Sequence, residues 1–421
     1  MARLATKPPS RMRKRRWLRR LAKLALGGAV ALVVLWAAIH RIPWLGPALA
    51  DGVRALVGPK PVAWAEDIAY SLQDRVNMWR YKDAKPVSFW GAPPSIASAI
   101  SDVEAARAAE VEKNRFRPKP FNAPFPAVAT PADGVWLPIV DPKAPQASAV
   151  MYKSLVHPDR RRSFAALALV AIDLRAFKLQ LVAGTKEPQS PRVHPKDRPG
   201  RVPDSDVPHL FAAFNGGFKA THGHYGMMLN GVEFLPPRDF ACTFVRYRDG
   251  GFRIGTWSTL KGERARMQYF RQTPPCLLEA GELPPLLSHH EYAKTWGATV
   301  SGDTVIRRSA IGLNKQRNTL FYGLGEAMTA QALARGMRAA GAEQAAQLDV
   351  NFSYPRFLFY EHPGAGGPPL AKQSIIPNID FTSDQYVTRP SIRDFFYLAR
   401  EHRHASVEAA GRSRFAAAQA P

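Results

Sequence analysis

The chain has 421 residues and a net charge of +24, from 58 Lys and Arg against 34 Asp and Glu. An excess of this size makes a field that attracts anions such as acidic polysaccharides, phosphodiesters and anionic lipid head groups. No zinc-finger spacing, RRM signature or basic heptad region accompanies the charge, so we expect no nucleic-acid partner.

The N-terminus combines a basic arm with an apolar run. The first 23 residues contain ten Lys or Arg and no carboxylate, and residues 24–39 are uncharged and apolar. As a helix this run would cover most of a roughly 30 Å hydrocarbon core. Because the positive flank stays in the cytoplasm, the pattern predicts that everything after residue 39 is delivered outward.

Two interpretations of this segment stay open. The long basic arm favours an uncleaved anchor, whereas Ala48-Leu49-Ala50 offers a secretory cleavage site. Residues 1–45 are therefore a basic arm and membrane anchor, or a signal peptide. The body is predicted to lie in the periplasm or extracellular space, attached to the membrane, or secreted if the chain is cleaved after Ala50.

Residues 46–120 mix short helical patterns with proline breaks and predict a stalk, which includes one amphipathic helix over 95–115. Six prolines between residues 118 and 138 exclude helix there and mark the entry to a second domain. That domain is predicted to cover residues 121–395. The Ala-, Arg- and Ser-rich residues 396–421 predict a flexible tail.

The body has mostly period-two patterning, so its predicted fold class is mixed α+β, sheet-rich, with one long helix. Residues 164–173 and 177–183 predict a hairpin around Leu174-Arg175-Ala176. The helix is predicted over 330–340, with Thr329 as its N-cap and Gly341 after its end. Further strands are predicted over 209–214, 226–234, 240–247, 252–257, 305–313, 318–322, 345–348 and 357–360.

The chain has two cysteines, Cys242 and Cys276, each in an apolar stretch. An oxidising compartment would permit a disulfide between them, and two buried free thiols would give the same pattern. Both interpretations stay open at this point.

Three short segments contain residue types suited to chemistry. Asn215-Gly216-Gly217 follows a buried strand, and its glycines allow a sharp turn that presents amides to a ligand. Arg308 begins an RSAIG strand, where its planar fork could bind a phosphate. Asp349 follows a hydrophobic strand directly, a common position for a catalytic side chain. Each segment alone is a weak signal, because turns and caps use the same residues.

Taken together, the order of these segments resembles the phosphodiester glycosidase family. The family's NGGFF turn corresponds to NGGFK at 215–219, its RTAIG strand to RSAIG at 308–312, and its LDGGGS to LDVNFS at 348–353. The AIDL at 171–174 and TPPCLLEAG at 273–281 are also similar to family segments, so the resemblance spans about residues 145–361.

The resemblance implies a hydrolase that cleaves a sugar 1-phosphodiester in a surface polysaccharide or glycolipid. Arg308 would neutralise the phosphate, and Asp349 would stabilise oxocarbenium charge or position water. Asn215, with the amides of Gly216 and Gly217, would orient sugar or phosphate oxygens.

One departure from the family pattern favours an alternative. The chain keeps Asp349 and Ser353 but has Val350, Asn351 and Phe352 where the family has three glycines. Side chains there add bulk and disfavour positive φ, which hinders close approach of a ligand. The alternative is a catalytically silent relative that binds acidic glycan or assists envelope assembly.

Further candidate substrate-binding residues are His222 and His224, just after the turn, together with Ser353 and Glu279. The two histidines could act as acid and base, or join a metal site, although one intervening residue does not make a complete ligand set. No P-loop, Rossmann fingerprint, G-x-S-x-G elbow or HExxH motif is present. No cofactor is therefore expected, and a divalent metal ion stays open.

Overall fold

The computed structural model describes residues 10–42, 58–90, 115–288, 305–351, 353–364 and 366–401, together with residues 45, 49, 52, 53, 56 and 296. The chain divides into two units, Met1–Ala65 and Glu66–Pro421. Most of the helix predicted over 95–115 and all of the tail after residue 401 lie outside the described residues.

Four α-helices and five short 3-10 turns lie in the described residues. The helices are α1 Ser10–Arg41, α2 Pro59–Arg80, α3 Trp257–Leu260 and α4 Ala330–Ala339, and the 3-10 turns are Pro126–Val128, Pro195–Asp197, Val207–His209, Lys261–Arg266 and Pro285–Ser288. The predicted apolar segment 24–39 falls within α1. Among the described residues, no helix has both the length and the apolarity needed to cross a membrane.

The second unit is built mainly of strands. In chain order the described strands are β1 Leu137–Pro138, β2 Met151–Val156, β3 Leu167–Asp173, β4 Phe177–Val182, β5 Leu210–Asn215, β6 Met227–Leu229, β7 Val232–Leu235, β8 Cys242–Tyr247, β9 Phe252–Thr256, β10 Met267–Thr273, β11 Ile306–Leu313, β12 Thr319–Met328, β13 Gln344–Val350, β14 Phe357–Glu361, β15 Leu370–Ser374 and β16 Phe395–Arg400.

These strands form three antiparallel sheets. The first has six strands in the order β1-β2-β3-β12-β11-β13, the second has the order β7-β6-β10-β8-β9, and the third has the order β15-β14-β5-β16-β4. The largest hydrophobic cluster takes buried side chains from all three sheets, among them Ile311, Phe244 and Phe396. The three sheets therefore share one core, as the predicted sheet-rich α+β class requires.

Helix α4 begins and ends as the sequence predicts. The Thr329 hydroxyl accepts a hydrogen bond from the amide of Ala332, which satisfies one of the unpaired donors at the helix start. Gly341 has φ +96° just after the helix end, a conformation that glycine adopts without steric cost. Leu333 and Met337 are buried against the first sheet, so α4 covers one face of that sheet.

The hairpin predicted around Leu174-Arg175-Ala176 is wrong, although both strands exist. Strand β3 lies inside the first sheet and β4 lies at the edge of the third, so the three residues carry the chain from one sheet to another. Leu174 and Ala176 are buried in the shared core. The Asp173 carboxylate accepts hydrogen bonds from the amide and the guanidinium of Arg175, which fixes the turn.

The body extends beyond the boundary predicted at residue 395. Strand β16 pairs with β4 on one side and β5 on the other, and its residues 395–399 are buried. The first residues of the predicted tail, 396–400, therefore belong to an inner strand of the third sheet. This strand brings Arg393 and Asp394, which precede it, to the end of β5.

Cys242 and Cys276 form a disulfide, which decides between the two alternatives that the sequence leaves open. Cys242 begins β8, and Cys276 follows β10. Both are buried in the shared core. The bond ties the second sheet to the segment that leads toward β11.

We expect the double variant Cys242→Ala and Cys276→Ala to be less stable than the wild type by about 2–4 kcal/mol, because the bond closes a loop with a sequence separation of 34. Thermal unfolding with and without reductant would measure this. Reductant should lower the melting temperature of the wild type and leave that of the variant unchanged. Equal melting temperatures for reduced and oxidised wild type would contradict the expectation.

Candidate functional site

The turn that follows β5 is held by the side chain of Asn215, which is fully buried. Its Oδ1 accepts hydrogen bonds from the Tyr322 hydroxyl at 2.7 Å and from the Arg356 amide at 3.2 Å. Its Nδ2 donates to Ser309 Oγ at 2.9 Å and to the Gly216 carbonyl at 3.1 Å. Asn215 thus connects β5 with β11, β12 and the start of β14.

The two glycines allow Asp394 and Arg271 to approach the turn closely. A Cβ on Gly216 would lie 2.2 Å from Asp394 Oδ2, and one on Gly217 would lie 2.8 Å from the guanidinium of Arg271. The Gly216 amide donates to the Asp394 carbonyl at 2.9 Å, and the Gly217 amide donates to Asp394 Oδ2 at 2.9 Å. The amides predicted to face a ligand therefore donate to Asp394 in this structure.

Arg271 and Asp394 form a fully buried ion pair beneath the turn. Arg271 Nε lies 2.8 Å from Asp394 Oδ2, and both side chains are 0% exposed. The other guanidinium nitrogens donate to the carbonyls of Phe218, Tyr225 and Gln272 at 2.5 to 3.1 Å. These acceptors are all carbonyl oxygens of the protein, and those of Phe218 and Tyr225 belong to the segment between β5 and β6. The Arg271–Asp394 pair therefore holds the loop after the turn in place.

Asp349 reaches the same cluster because of a β-bulge. In the pairing of β11 with β13, Arg308 is opposite Val350 and Ala310 is opposite Gln347. The single residue Ser309 on β11 therefore lies opposite two residues of β13. Such a bulge changes the direction of the side chain that it contains. The Asp349 amide donates to the Gly216 carbonyl at 3.2 Å, and the Asp349 carbonyl accepts from Ser309 Oγ at 3.0 Å.

The cation beside Asp349 is Arg393. Its Nη2 forms an ion pair with Asp349 Oδ2 and also donates to the Gly217 carbonyl at 3.1 Å. The guanidinium lies over the ring of Tyr354, 4.3 Å from its centroid. The contact between Arg393 and Oδ2 is close but lacks hydrogen-bond alignment, and among the described residues no donor is aligned on that oxygen. Asp349 Oδ2 is therefore paired in charge but has no aligned hydrogen bond, whereas the carboxylate also accepts from the Val350 amide.

Burial raises the pKa of Asp349 to about 6, and the nearby negative charge of Asp394 adds to this effect. Arg393 and the Val350 amide act in the opposite direction. Only 1% of Asp349 is exposed. A carboxyl group that titrates near neutral pH can exchange a proton with a reacting group, which is the property that acid–base chemistry requires.

Arg308 lies apart from this cluster. Its Nε donates to the Met328 carbonyl at 2.9 Å, and its Nη1 donates to the Trp296 carbonyl at 2.6 Å and to Gln347 Oε1 at 2.9 Å. Neighbouring residues of a strand point to opposite faces, so Arg308 points away while Ser309 reaches Asn215. The structure brings Asn215 and Asp349 together and places Arg308 on the other face of β11.

The other predicted substrate-binding residues lie at various distances from this cluster. His222 and His224 are exposed in the turn after Phe218. The amide and hydroxyl of Ser353 both donate to Asn351 Oδ1. Glu279 accepts hydrogen bonds from Thr256 at the end of β9 and is not part of the cluster. Within the described part of the chain, no three His, Cys, Asp or Glu side chains are grouped to hold a metal ion.

Sequence reasoning missed Arg271, Arg393 and Asp394. One signal was available for Arg271, which follows Tyr269 and Phe270 in the strand MQYFRQT, since a charge inside a buried strand needs a partner. No comparable pattern marks Arg393-Asp394, because an Arg-Asp pair beside a proline and a serine is typical of a surface turn.

No family model and no curated protein matches the chain. Its structure is similar to that of the zebrafish N-acetylglucosamine-1-phosphodiester alpha-N-acetylglucosaminidase catalytic domain, which is auto-inhibited by its pro-peptide. The identity is 14% and the TM-score 0.38, over 61% of this chain and 85% of that one. A hypothetical protein from Synechocystis is 10% identical, with a TM-score of 0.35, over 56% of this chain and 59% of that one. These relationships are distant, and neither transfers a residue's role to this chain.

The two glycines give a direct test of the close packing under the turn. We expect Gly216→Ala to lower stability by about 1–3 kcal/mol or to prevent folding, because the new methyl group would overlap Asp394. Gly262→Ala is the matched control, because nothing lies within 4 Å of a Cβ at that position. Thermal unfolding of both variants would measure the difference, and equal melting temperatures would contradict the packing described above.

The variant Arg308→Lys tests whether Arg308 binds phosphate, as the sequence predicts, or holds the fold through the contacts in the structure. Lysine keeps the charge and cannot reach all three acceptors, so these contacts predict a stability loss of about 1–3 kcal/mol. A phosphate clamp would instead lose activity with an unchanged melting temperature. Melting temperature and turnover measured on the same preparation distinguish the two outcomes.

Proposed function

We propose that the chain is an extracytoplasmic hydrolase that cleaves a sugar 1-phosphodiester in a surface polysaccharide or glycolipid, with Asp349 as the reacting carboxylate. The proposal rests on the burial, the pKa and the hydrogen bonding of Asp349. It is a buried carboxyl with a pKa raised to about 6 and one oxygen without a hydrogen bond. An unsatisfied, perturbed carboxyl group is typical of functional sites and is costly in a purely structural role.

The chemistry follows from the leaving group. In a sugar 1-phosphodiester, the bond from the anomeric carbon to the phosphate oxygen breaks, and its electron pair leaves with an already stabilised phosphate. Ionised Asp349 stabilises the positive charge that develops at the anomeric carbon, or accepts a proton from the attacking water. The water oxygen bonds to the anomeric carbon, and the proton passes to solvent.

Arg393 is the group that we assign to the phosphate. It already contacts Asp349, so a phosphodiester that enters beside Asp349 meets the guanidinium directly. Guanidinium groups bind phosphate oxygens in a planar, bidentate arrangement. Arg308, the residue assigned to this role from sequence, donates to Met328, Trp296 and Gln347 on the other face of β11.

The proposed location rests on the N-terminus and on the disulfide. Ten cations precede the apolar run, which favours delivery of the body to the outside of a membrane. The disulfide between Cys242 and Cys276 is of the kind that persists in oxidising compartments. We propose a periplasmic or extracellular body, either attached to the membrane or released after cleavage at Ala50.

A second candidate function is a catalytically silent relative that binds acidic glycan. Three observations favour it. Asp349 is 1% exposed, and the amides of Gly216 and Gly217 donate to Asp394. Two clefts on the described surface, of about 320 and 140 Å³, are lined by Asp141 and Arg400 and not by Asp349. In this interpretation the buried Asp349 and Arg393 only shape the fold around a binding surface.

Asp349→Asn decides between the two functions. A panel of sugar 1-phosphodiesters incubated with the protein should release reducing sugar, and the variant should lose more than about 100-fold in turnover because its amide cannot stabilise developing positive charge. Since Asp349 must be ionised, kcat/KM should rise with pH through about 6 in the wild type. No release of reducing sugar from any substrate, together with measurable binding of a phosphorylated glycan, would establish the silent relative.

The same variant has a stability signature that excludes unfolding as the cause. The pKa of Asp349 is about 6 in the fold against 3.8 ordinarily, so its contribution to stability is fully present below about pH 4 and is lost as pH rises through 6. Asp349→Asn cannot ionise, so its stability relative to the wild type should rise between about pH 4 and pH 6 and stay constant above that range.

The matched control is Asp159→Asn, which breaks the pair between Asp159 and Arg162, another largely buried ion pair outside the site. It should lower the melting temperature and leave turnover unchanged. Loss of turnover in this control would mean that the assay reports damage to the fold and not the chemistry of Asp349.

A further inference from the structure

Helix α2 carries an exposed apolar stripe. Ile68, Leu72, Val76 and Trp79 are 49%, 61%, 50% and 74% exposed. Their spacing of four, four and three residues places them on one face of the helix. All four belong to the second unit of the chain. An exposed apolar face of this kind on a protein surface marks an interaction site.

The opposite side of α2 is fixed to the body. The Asp74 carboxylate accepts hydrogen bonds from Arg162 Nε at 2.8 Å and from Arg162 Nη2 at 2.6 Å. Just after the helix, the ring of Tyr81 packs against that of Phe164, with centroids 5.3 Å apart. These contacts set the rotation of the helix about its axis. The stripe therefore points away from the sheets.

The charges around the stripe favour an anionic partner. Arg75 and Arg80 are both exposed, and at about 100° per residue they lie on either side of the stripe. Asp74 is on the body side, where Arg162 neutralises it. Trp79, the most exposed of the four, has the amphipathic ring that concentrates at the boundary between head groups and acyl chains.

We propose that the stripe of Ile68, Leu72, Val76 and Trp79 lies in the head-group region of an anionic lipid membrane, with Arg75 and Arg80 against the lipid phosphates. The proposal rests on the extracytoplasmic, membrane-proximal location put forward above. An apolar helix face flanked by arginines, with a tryptophan at one end, has the pattern of a helix that lies in the membrane interface. Only 28 residues separate the apolar run 24–39 from Ile68, so a chain held by that run keeps the stripe near the membrane.

A second copy of the chain fits the stripe less well. Two stripes packed against each other would bring the flanking arginines of both helices to one interface. Like charges placed together at an interface weaken it. Anionic head groups would neutralise the same arginines.

The test uses the full chain with a fluorophore at the stripe. Because both native cysteines are in the disulfide, Leu72→Cys can be labelled alone with an environment-sensitive NBD dye. Val140→Cys is the matched control, at a side chain that is 58% exposed on the body. Each labelled protein is reconstituted into vesicles of phosphatidylcholine, with or without phosphatidylglycerol, that contain a nitroxide-labelled lipid.

We expect the dye at position 72 to shift to the blue and to lose about half of its intensity to the nitroxide lipid in vesicles that contain phosphatidylglycerol. The dye at position 140 should do neither. Arg75→Gln together with Arg80→Gln should remove most of the quenching at position 72, because the electrostatic part of the attraction is lost.

Three results would overturn the proposal. If the protein floats with vesicles while the dye at position 72 keeps a water-like spectrum, the stripe does not touch lipid and the membrane location stands. If the dye is shielded in detergent without lipid and is not quenched by nitroxide lipid, a second copy covers the stripe. If the protein does not float with either vesicle, the membrane location and the lipid-bound stripe both fail.

Discussion

The candidate site depends on one buried ion pair, between Arg271 on β10 and Asp394 directly before β16. Removing two charges from water is costly, and the cost is offset only when further hydrogen bonds satisfy both groups. Here the Asp394 carboxylate also accepts the amide of Gly217, and the Asp394 main-chain carbonyl accepts the amide of Gly216 and the hydroxyl of Tyr354. Loss of either charged partner would leave the other buried and unpaired, at a cost of about 3–5 kcal/mol.

Both members of this pair also act on the pKa of Asp349, although burial and Arg393 have larger effects. Burial disfavours the charged form of Asp349, and the negative charge of Asp394 adds to this effect. Arg393 offsets only part of it. The pKa of Asp349 is therefore raised to about 6, whereas one further hydrogen-bond donor aligned on Oδ2 would have stabilised the charged form. The proposed function accounts for a feature that costs stability.

The sequence predicts local structure well and long-range placement poorly, for identifiable reasons. The cap at Thr329 and the turn at Gly341 depend on neighbouring residues, and both are confirmed. The supposed hairpin after β3 fails because alternation along a strand does not specify its partner. Arg308 is expected beside Asp349 but lies on the other face of β11, because a one-residue bulge opposite Ser309 leaves no mark in the sequence and decides which side chains meet.

In the proposed reaction, the contacts that hold the buried Asp349 decide how it could meet a substrate. The main chain around it is fixed by β11 and by the Gly216 carbonyl, whereas the carboxylate is held by Arg393 and by the Val350 amide. Because the contact with Arg393 lacks hydrogen-bond alignment, a phosphodiester that offers better-aligned oxygens can replace Asp349 as the partner of Arg393 without breaking a strand. In the proposed reaction, binding of the phosphate would then release the carboxylate that acts at the anomeric carbon, so recognition and activation would be one step.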